Sequence, residues 1–271
     1  MNYIWLALTG ALGGFLSGLL GIGGALVFIP ILSYLIGQHG LEQESVSYLL
    51  ANSFMVVLAA GLAASYRQYK LNNIFSKTAI AVAIPATIVA LGISFLIAFW
   101  TESSTVDVKL IFKFFFLFLL VLIIVQSFWG RKSNDYDSMP QSLSFSKKVG
   151  AGVLVGFFSG TTGLGGGSIM LPLFHNTFKL KYTAATSLSS TVIPLFVLPT
   201  VFYYGLLTPQ KYIMQSGQTG FICWQWVLPM LPFIVIFSQI GVKKNHEFPL
   251  WLTKLIFALI IVINILKILL L

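Results

Sequence analysis

Two glycine clusters carry the chemical interest of this chain, Gly21-Ile22-Gly23-Gly24 near its start and Gly163-Leu164-Gly165-Gly166-Gly167 past its middle. Glycine accepts a positive φ and lets a ligand come close to backbone N–H groups. The residues just after each cluster, from Ala25 and from Ser168, are expected to open new half-helices whose free N–H groups and positive dipole ends face the breaks. Two such ends converging would make a site for an anion. Neutral donors accompany them: Asn52 and Ser53, Thr161 and Thr162, Thr186 and Ser187, and Gln225. A lone Ser or Thr in an apolar helix usually bonds back to its own backbone. The clusters at 52–53 and 186–190, the latter with Ser189 and Ser190, gain weight because they fall at matching points of an internal repeat.

The surroundings of these residues are lipid-like. Of the 271 residues, 57% are apolar and 8% are charged, with a mean hydropathy of +0.92. A soluble domain carries roughly a quarter charged residues, so an ordinary water-soluble enzyme is excluded. The balance of 16 Lys and Arg against 7 Asp and Glu gives +9. Its basic residues come as short pairs between apolar runs, Arg131-Lys132, Lys147-Lys148 and Lys243-Lys244, which suits anionic headgroups and not nucleic acid. The single cysteine, Cys223, cannot form an internal disulfide. No metal-ligand cluster or cofactor motif is read in the chain, and none is expected.

A bilayer core of about 30 Å needs about 20 apolar residues per helix. Six runs fit, near 45–66, 76–100, 108–129, 183–206, 219–241 and 250–271. Two more stretches, 3–37 and 148–178, are too long for one span and too short for two, and each is broken by a glycine cluster. They are copies of each other: a shift of 142 residues superimposes 10–32 on 152–174 with ten of 23 positions identical. The chain reads as a tandem duplication, 1–129 and 147–271, joined by a polar cytoplasmic linker at 130–146.

Positive-inside counting chooses between two topologies. If both broken stretches cross, eight spans place nine Lys and Arg inside and seven outside. If each is a re-entrant hairpin, six spans with both termini outside place twelve inside and four outside. The second is the stronger asymmetry. Three full spans per repeat then invert the copies relative to each other, as in many secondary transporters with sites at broken helices near the midplane. The expected fold is an all-α integral membrane protein of two inverted repeats, each a broken or re-entrant helix pair plus three transmembrane helices.

Part of the glycine pattern is packing. Gly10, Gly14 and Gly18, with Gly152, Gly156 and Gly160, recur every four residues and form a ridge for close helix crossing. Four glycines in the five positions 163–167 would weaken a helix without improving its ridge, so a substrate-lining role is assigned to that cluster and to 21–24. The central parts of the six spans hold no Asp, Glu, Arg or His, which argues against a proton or metal carrier based on carboxylates. Lys109, Lys113, Lys254 and Lys267 lie near span ends, where they can snorkel. Trp224 and Trp226 flank Gln225 in the 219–241 run, where Gln225 could face a pathway. A serine protease in the membrane, suggested by Ser17 and Ser159 before Gly18 and Gly160, lacks a histidine at depth to act as base.

The doubled motif, GFLSGLLGIGGALVFIP at 14–30 and GFFSGTTGLGGGSIMLP at 156–172, resembles the TauE/SafE family of sulfite and organosulfur anion exporters. Ala-Thr-Ser-Leu at 185–188 is similar to that family's second signature, whose first copy reads Ala51-Asn52-Ser53-Phe54 here. The resemblance covers essentially the whole chain. It implies a multi-pass transporter in a bacterial-type inner membrane, for sulfite, sulfoacetate, taurine or other small organic solutes, and not an enzyme. The expected partners are a small anion and the lipid bilayer, with no nucleic acid. A homo-oligomer is compatible with the sequence, as is a neutral solute in place of the anion.

Overall fold

The computed structural model describes residues 3–39, 45–103, 108–129, 139–210 and 217–245, with Glu247 and a few positions beyond 250. Most of the run at 250–271, including Lys254 and Lys267, lies outside the described residues, as do Arg131 and Lys132 and the side chain of Lys109.

The described residues are helical almost throughout. Helix α1 (Tyr3–Leu20) stops at the first glycine cluster and α2 (Ala25–Gly37) begins after it. Helices α3 (Ser45–Lys70), α4 (Ser76–Ser103) and α5 (Val108–Trp129) complete the first half. Asn72, left-handed at φ 52°, ends the α3 turn. Its small polar side chain tolerates that conformation better than other non-glycine residues do. A 3-10 turn at Pro140–Ser142 leads into α6 (Phe145–Thr162). After the second cluster comes α7 (Gly167–Pro172), prolonged by a π-helical turn at Leu173–Thr177, and then α8 (Tyr182–Leu206).

The next segment departs from the expected span at 219–241. Strands β1 (Gln218–Thr219) and β2 (Ile222–Cys223) form a small antiparallel hairpin, continued by the single turn α9 (Trp224–Val227). Only α10 (Leu231–Lys244) is a longer helix, of 14 residues. Gly217 and Gly220 take positive φ, and Pro229 and Pro232 punctuate the join between α9 and α10. An apolar run that reads as one helix therefore folds as a hairpin and two helices. Among the described residues, four helices are long and apolar enough to cross a membrane: 3–20, 45–70, 76–100 and 182–206.

The halves interlock. The first helix of each half packs on a long helix of the other, α1 on α10 and α6 on α4, while α3 and α8 pack on each other and on α10 and α4 respectively. The glycine ridge makes these contacts possible. Gly10, Gly14 and Gly18 face Met230, Ile234 and Ser238, and Gly152, Gly156 and Gly160 face Val82, Ala86 and Ala90. A β-carbon at Gly18 would overlap the Ser238 carbonyl, so the backbones touch, as small-residue crossings allow. Exchanging the halves maps this contact set onto itself. Helices α3 and α8 run antiparallel, with Gly61 against Ile193 and the Ser65 hydroxyl donating to the Ser190 carbonyl at 2.7 Å.

The buried core is one continuous apolar cluster shared by both halves. On the outside, Ile80, Ile84 and Ile88 expose half or more of their surface along one stripe of α4. Large apolar residues repeated on an outer face in this way fit contact with lipid chains.

Candidate functional site

Both glycine breaks have the same backbone. Gly21, Gly23 and Gly24 have φ of 66°, 76° and 72°, and Gly163, Gly165 and Gly166 have 70°, 68° and 68°. These are pairwise equivalents under the 142-residue shift. Each preceding helix closes alike, with the Gly21 and Gly163 N–H groups donating to the Ser17 and Ser159 carbonyls at 2.8 Å. Helices α2 and α7 start with left-handed Gly24 and Gly166 at their caps and no side chain capping either. The expected half-helix starts at Ala25 and Ser168 are therefore met at 25 and one residue early at Gly167.

The breaks meet in the middle of the molecule. Gly167 lies against the Ile22 backbone and the Gly21 carbonyl. Val57, midway along α3, faces both breaks: a β-carbon at Gly23 would sit 3.0 Å from its methyl group, and one at Gly165 would collide with it. Each tip also reaches the third helix of the opposite half. A β-carbon at Gly21 would fall 2.6 Å from the Thr186 carbonyl of α8, and one at Gly163 would fall 2.9 Å from Leu50 of α3. Left-handed residues in a turn can aim neighbouring backbone N–H groups into a concavity suited to anions.

The side chains expected at the site divide into several groups. Ser53 donates to the Gly163 carbonyl at 2.7 Å, so one half's signature holds the other half's break. Asn52 is fully engaged: its amide donates to the Tyr48 and Phe221 carbonyls at 2.8 and 2.9 Å and accepts from the Cys223 N–H at 2.8 Å. Ser187, the counterpart of Ser53, donates to the Asn73 carbonyl in the α3–α4 connection. Thr186 bonds to the Thr183 carbonyl, and Thr161 and Thr162 bond back to the preceding turn, the habit of hydroxyls inside apolar helices. Gln225 is exposed on α9 beside Gly217 and is not inside a membrane helix.

Two hydroxyls of the second break stand out. The oxygens of Ser168, in the first turn of α7, and Ser159, in the last turn of α6, are buried without a hydrogen-bond partner. A buried hydroxyl left unpaired costs about 1–3 kcal/mol, and a substrate oxygen could remove that cost. The first break is poorer, since Leu26, Leu19 and Leu20 stand where Ser168, Thr161 and Thr162 stand in the second. No Asp, Glu, Lys or Arg is among the buried residues described, and the described residues contain no cluster of three metal-ligating side chains.

Sequence reasoning missed the hairpin over this region. Gln218 donates to the Tyr48 hydroxyl at 2.7 Å, and the Phe221 N–H donates to the Tyr204 carbonyl at 3.1 Å. The Phe221 ring meets Tyr48 and Tyr204 edge-on, at 4.9 and 6.3 Å. The Gly217 and Gly220 pair flanking Gln218-Thr219 was the available turn signal.

The family model described as "Sulfite exporter TauE/SafE" matches residues 6–268. A probable membrane transporter protein of Haemophilus influenzae is 28% identical, over 94% of this chain and 94% of its own length. One from Methanocaldococcus jannaschii is 26% identical over 89% of this chain and 86% of its own, and one from Bacillus subtilis is 23% identical over 91% and 90%. No solved structure matches. With the doubled motif matched within one family model across nearly its full length, the chain belongs to the sulfite exporter TauE/SafE family and is a membrane protein of transporter type.

Proposed function

We propose that this protein is a secondary transporter moving a small sulfur-containing or organic anion, of the kind represented by sulfite and sulfonates, across a bacterial-type inner membrane by alternating access. The observation that carries this reading is the meeting of two like-folded glycine breaks at the centre, Gly167 against Ile22. The left-handed Gly23, Gly24, Gly165 and Gly166 there offer backbone N–H groups, and Ser168 and Ser159 offer unpaired hydroxyls. With no buried carboxylate or ammonium among the described residues, dipoles and neutral donors would hold the charge of the substrate.

Several contacts support inverted, re-entrant halves. Helix α1 runs alongside α10 from Met230 toward Ser238, and its tip at Gly21 reaches the first turns of α8. The chain then returns, bringing the His39 ring to 5.6 Å from Trp226, near the level at which α1 began. The second break runs the other way. Its tip at Gly163 reaches the early part of α3, and the return brings His175 to 5.6 Å from Tyr182 at the start of α8. Because α3 and α8 are antiparallel, the two hairpins come in from opposite ends. Rocking one interlocked set against the other about the glycine centre would open it to each side in turn.

Flux into proteoliposomes tests the reading, with sulfite, thiosulfate, taurine, sulfoacetate and simple carboxylates offered to the wild type and to Gly166→Leu. Selective uptake of one anion, abolished by the substitution, is the expected result. Absence of flux for all of them, with the protein shown to be folded, overturns the anion reading.

A further inference from the structure

A groove of about 470 Å³ lies on the outside of the molecule between α3 and α10, far more apolar than polar. Its walls are three straight rows of residues spaced four apart, the spacing that stacks side chains along one helix face. On α3, Met55, Ala59 and Ala63 form one row, and the next residue in step is Arg67. Beside it run Leu58, Leu62 and Tyr66, and the next in step is Lys70. On α10, Leu231, Val235 and Gln239 form the third row, and the next in step is Lys243. Every row that lines the groove therefore ends in a cation.

All three cations are at the same end. The Ser238 hydroxyl donates to the Ala60 carbonyl at 3.0 Å, which sets α3 and α10 in register, and both helices run toward their basic ends. Lys70 places its ammonium over the Tyr66 ring at 4.7 Å, so it stays at the mouth of the groove. The Arg67 Nε is buried and has no hydrogen-bond partner. Lys243 is exposed. The neighbouring cation, Lys244, is occupied by Glu247, so that pair adds no net charge. From Met55 to Tyr66 the groove is about 17 Å long at 1.5 Å per residue, which is about the depth of one hydrocarbon leaflet.

We propose that this groove seats one anionic phospholipid, its acyl chain along the three rows and its phosphate among Arg67, Lys70 and Lys243. A groove made only for a hydrocarbon chain has no use for three cations at one end. A zwitterionic lipid would bring its own cation to a site already rich in them. Near a bilayer surface each Lys or Arg adds about 1 kcal/mol of attraction for an anionic headgroup. The inference is independent of what the protein transports.

Native mass spectrometry of the full chain, released from nanodiscs of equal phosphatidylglycerol and phosphatidylethanolamine with matched chains, tests it. One phosphatidylglycerol should be retained per chain in preference to phosphatidylethanolamine. Each of R67Q, K70Q and K243Q should weaken retention about fivefold, and the triple variant about a hundredfold. Leu62→Trp, at an exposed position that leaves the interior untouched, should fill the groove and weaken retention about tenfold with all three cations in place. Equal retention of both lipids, or wild-type retention in the triple variant with its thermal unfolding unchanged, overturns the proposal. So does displacement of the lipid by inorganic phosphate, which would show a headgroup site with no role for the groove. Dimers in which Leu62→Cys cross-links to a second copy would likewise overturn it, because the groove would then be a protein interface.

Discussion

The Ser53 hydroxyl donates to the Gly163 carbonyl across 2.7 Å, tying the third helix of one half to the glycine break of the other. The bond spans 110 positions of sequence and is fully buried. Ser53→Ala removes the donor and leaves that carbonyl, at the tip of the break, without it. The expected cost is about 1 kcal/mol of stability, and the loosened break should lower flux by about tenfold. Thermal unfolding in detergent and flux in proteoliposomes measure the two separately. A variant with the stability loss and unaltered flux would remove the tip from the substrate site.

Asn52 fastens the β-hairpin to α3 through bonds to Phe221 and Cys223. Asn52→Ala strands a buried carbonyl and a buried N–H, at an expected cost of about 2–4 kcal/mol. The chain supplies its own reporter, since Cys223 is its single cysteine and is completely buried. Maleimide labelling of Cys223 should be slow in the wild type and clearly faster in the variant. Equal labelling rates would mean that the hairpin is held by its aromatic contacts alone.

At Gly165 two costs can be separated. Gly165→Ala forces a β-carbon into the left-handed region, about 1–2 kcal/mol, and against the Val57 side chain. Trimming the neighbour in Gly165→Ala/Val57→Ala should recover the collision and leave the conformational cost. A double-mutant cycle on unfolding temperature should therefore give a favourable coupling of about 0.5–3 kcal/mol. Additive effects would show that Val57 does not press on the break.

Transport of a sulfonate, which keeps its charge at every accessible pH, should be indifferent to a pH gradient between about pH 6 and 8, where an ordinary histidine titrates. Among the described residues the buried set holds no carboxylate, and His175 is its one histidine. Its ring is bonded to the Leu180 carbonyl at 2.9 Å. A gradient-dependent rate would point to His175, and a His175→Gln variant would then lose that dependence.

Much of this architecture could be read from local sequence. The glycine clusters announce breaks, the ridge at every fourth residue announces tight crossings, and the 142-residue shift announces two copies. Each is a signal carried by neighbouring residues. The hairpin left only the Gly217 and Gly220 pair as a local signal. Phe221, Ile222 and Cys223 are apolar enough to continue a span, and what holds them is Asn52, some 170 positions away. The same holds for Ser53 and Ser187. Their kinship was visible in sequence, but one grips the opposite glycine break and the other the α3–α4 connection. Gln225 looked like a buried polar residue only because the surrounding run looked like a helix.

The six left-handed glycines also explain why the duplication is still visible. After a gene doubles, outward apolar positions can exchange Leu, Ile, Val and Phe almost freely, since lipid reads only their hydrophobicity. Any side chain at Gly21, Gly23, Gly24, Gly163, Gly165 or Gly166 meets a conformational cost that no lipid offsets. Three of the ten identical pairs are therefore places where the backbone itself disfavours a β-carbon. Leu26 opposite Ser168 and the hairpin of the second half mark how far such specialisation has gone around two glycine breaks of like conformation.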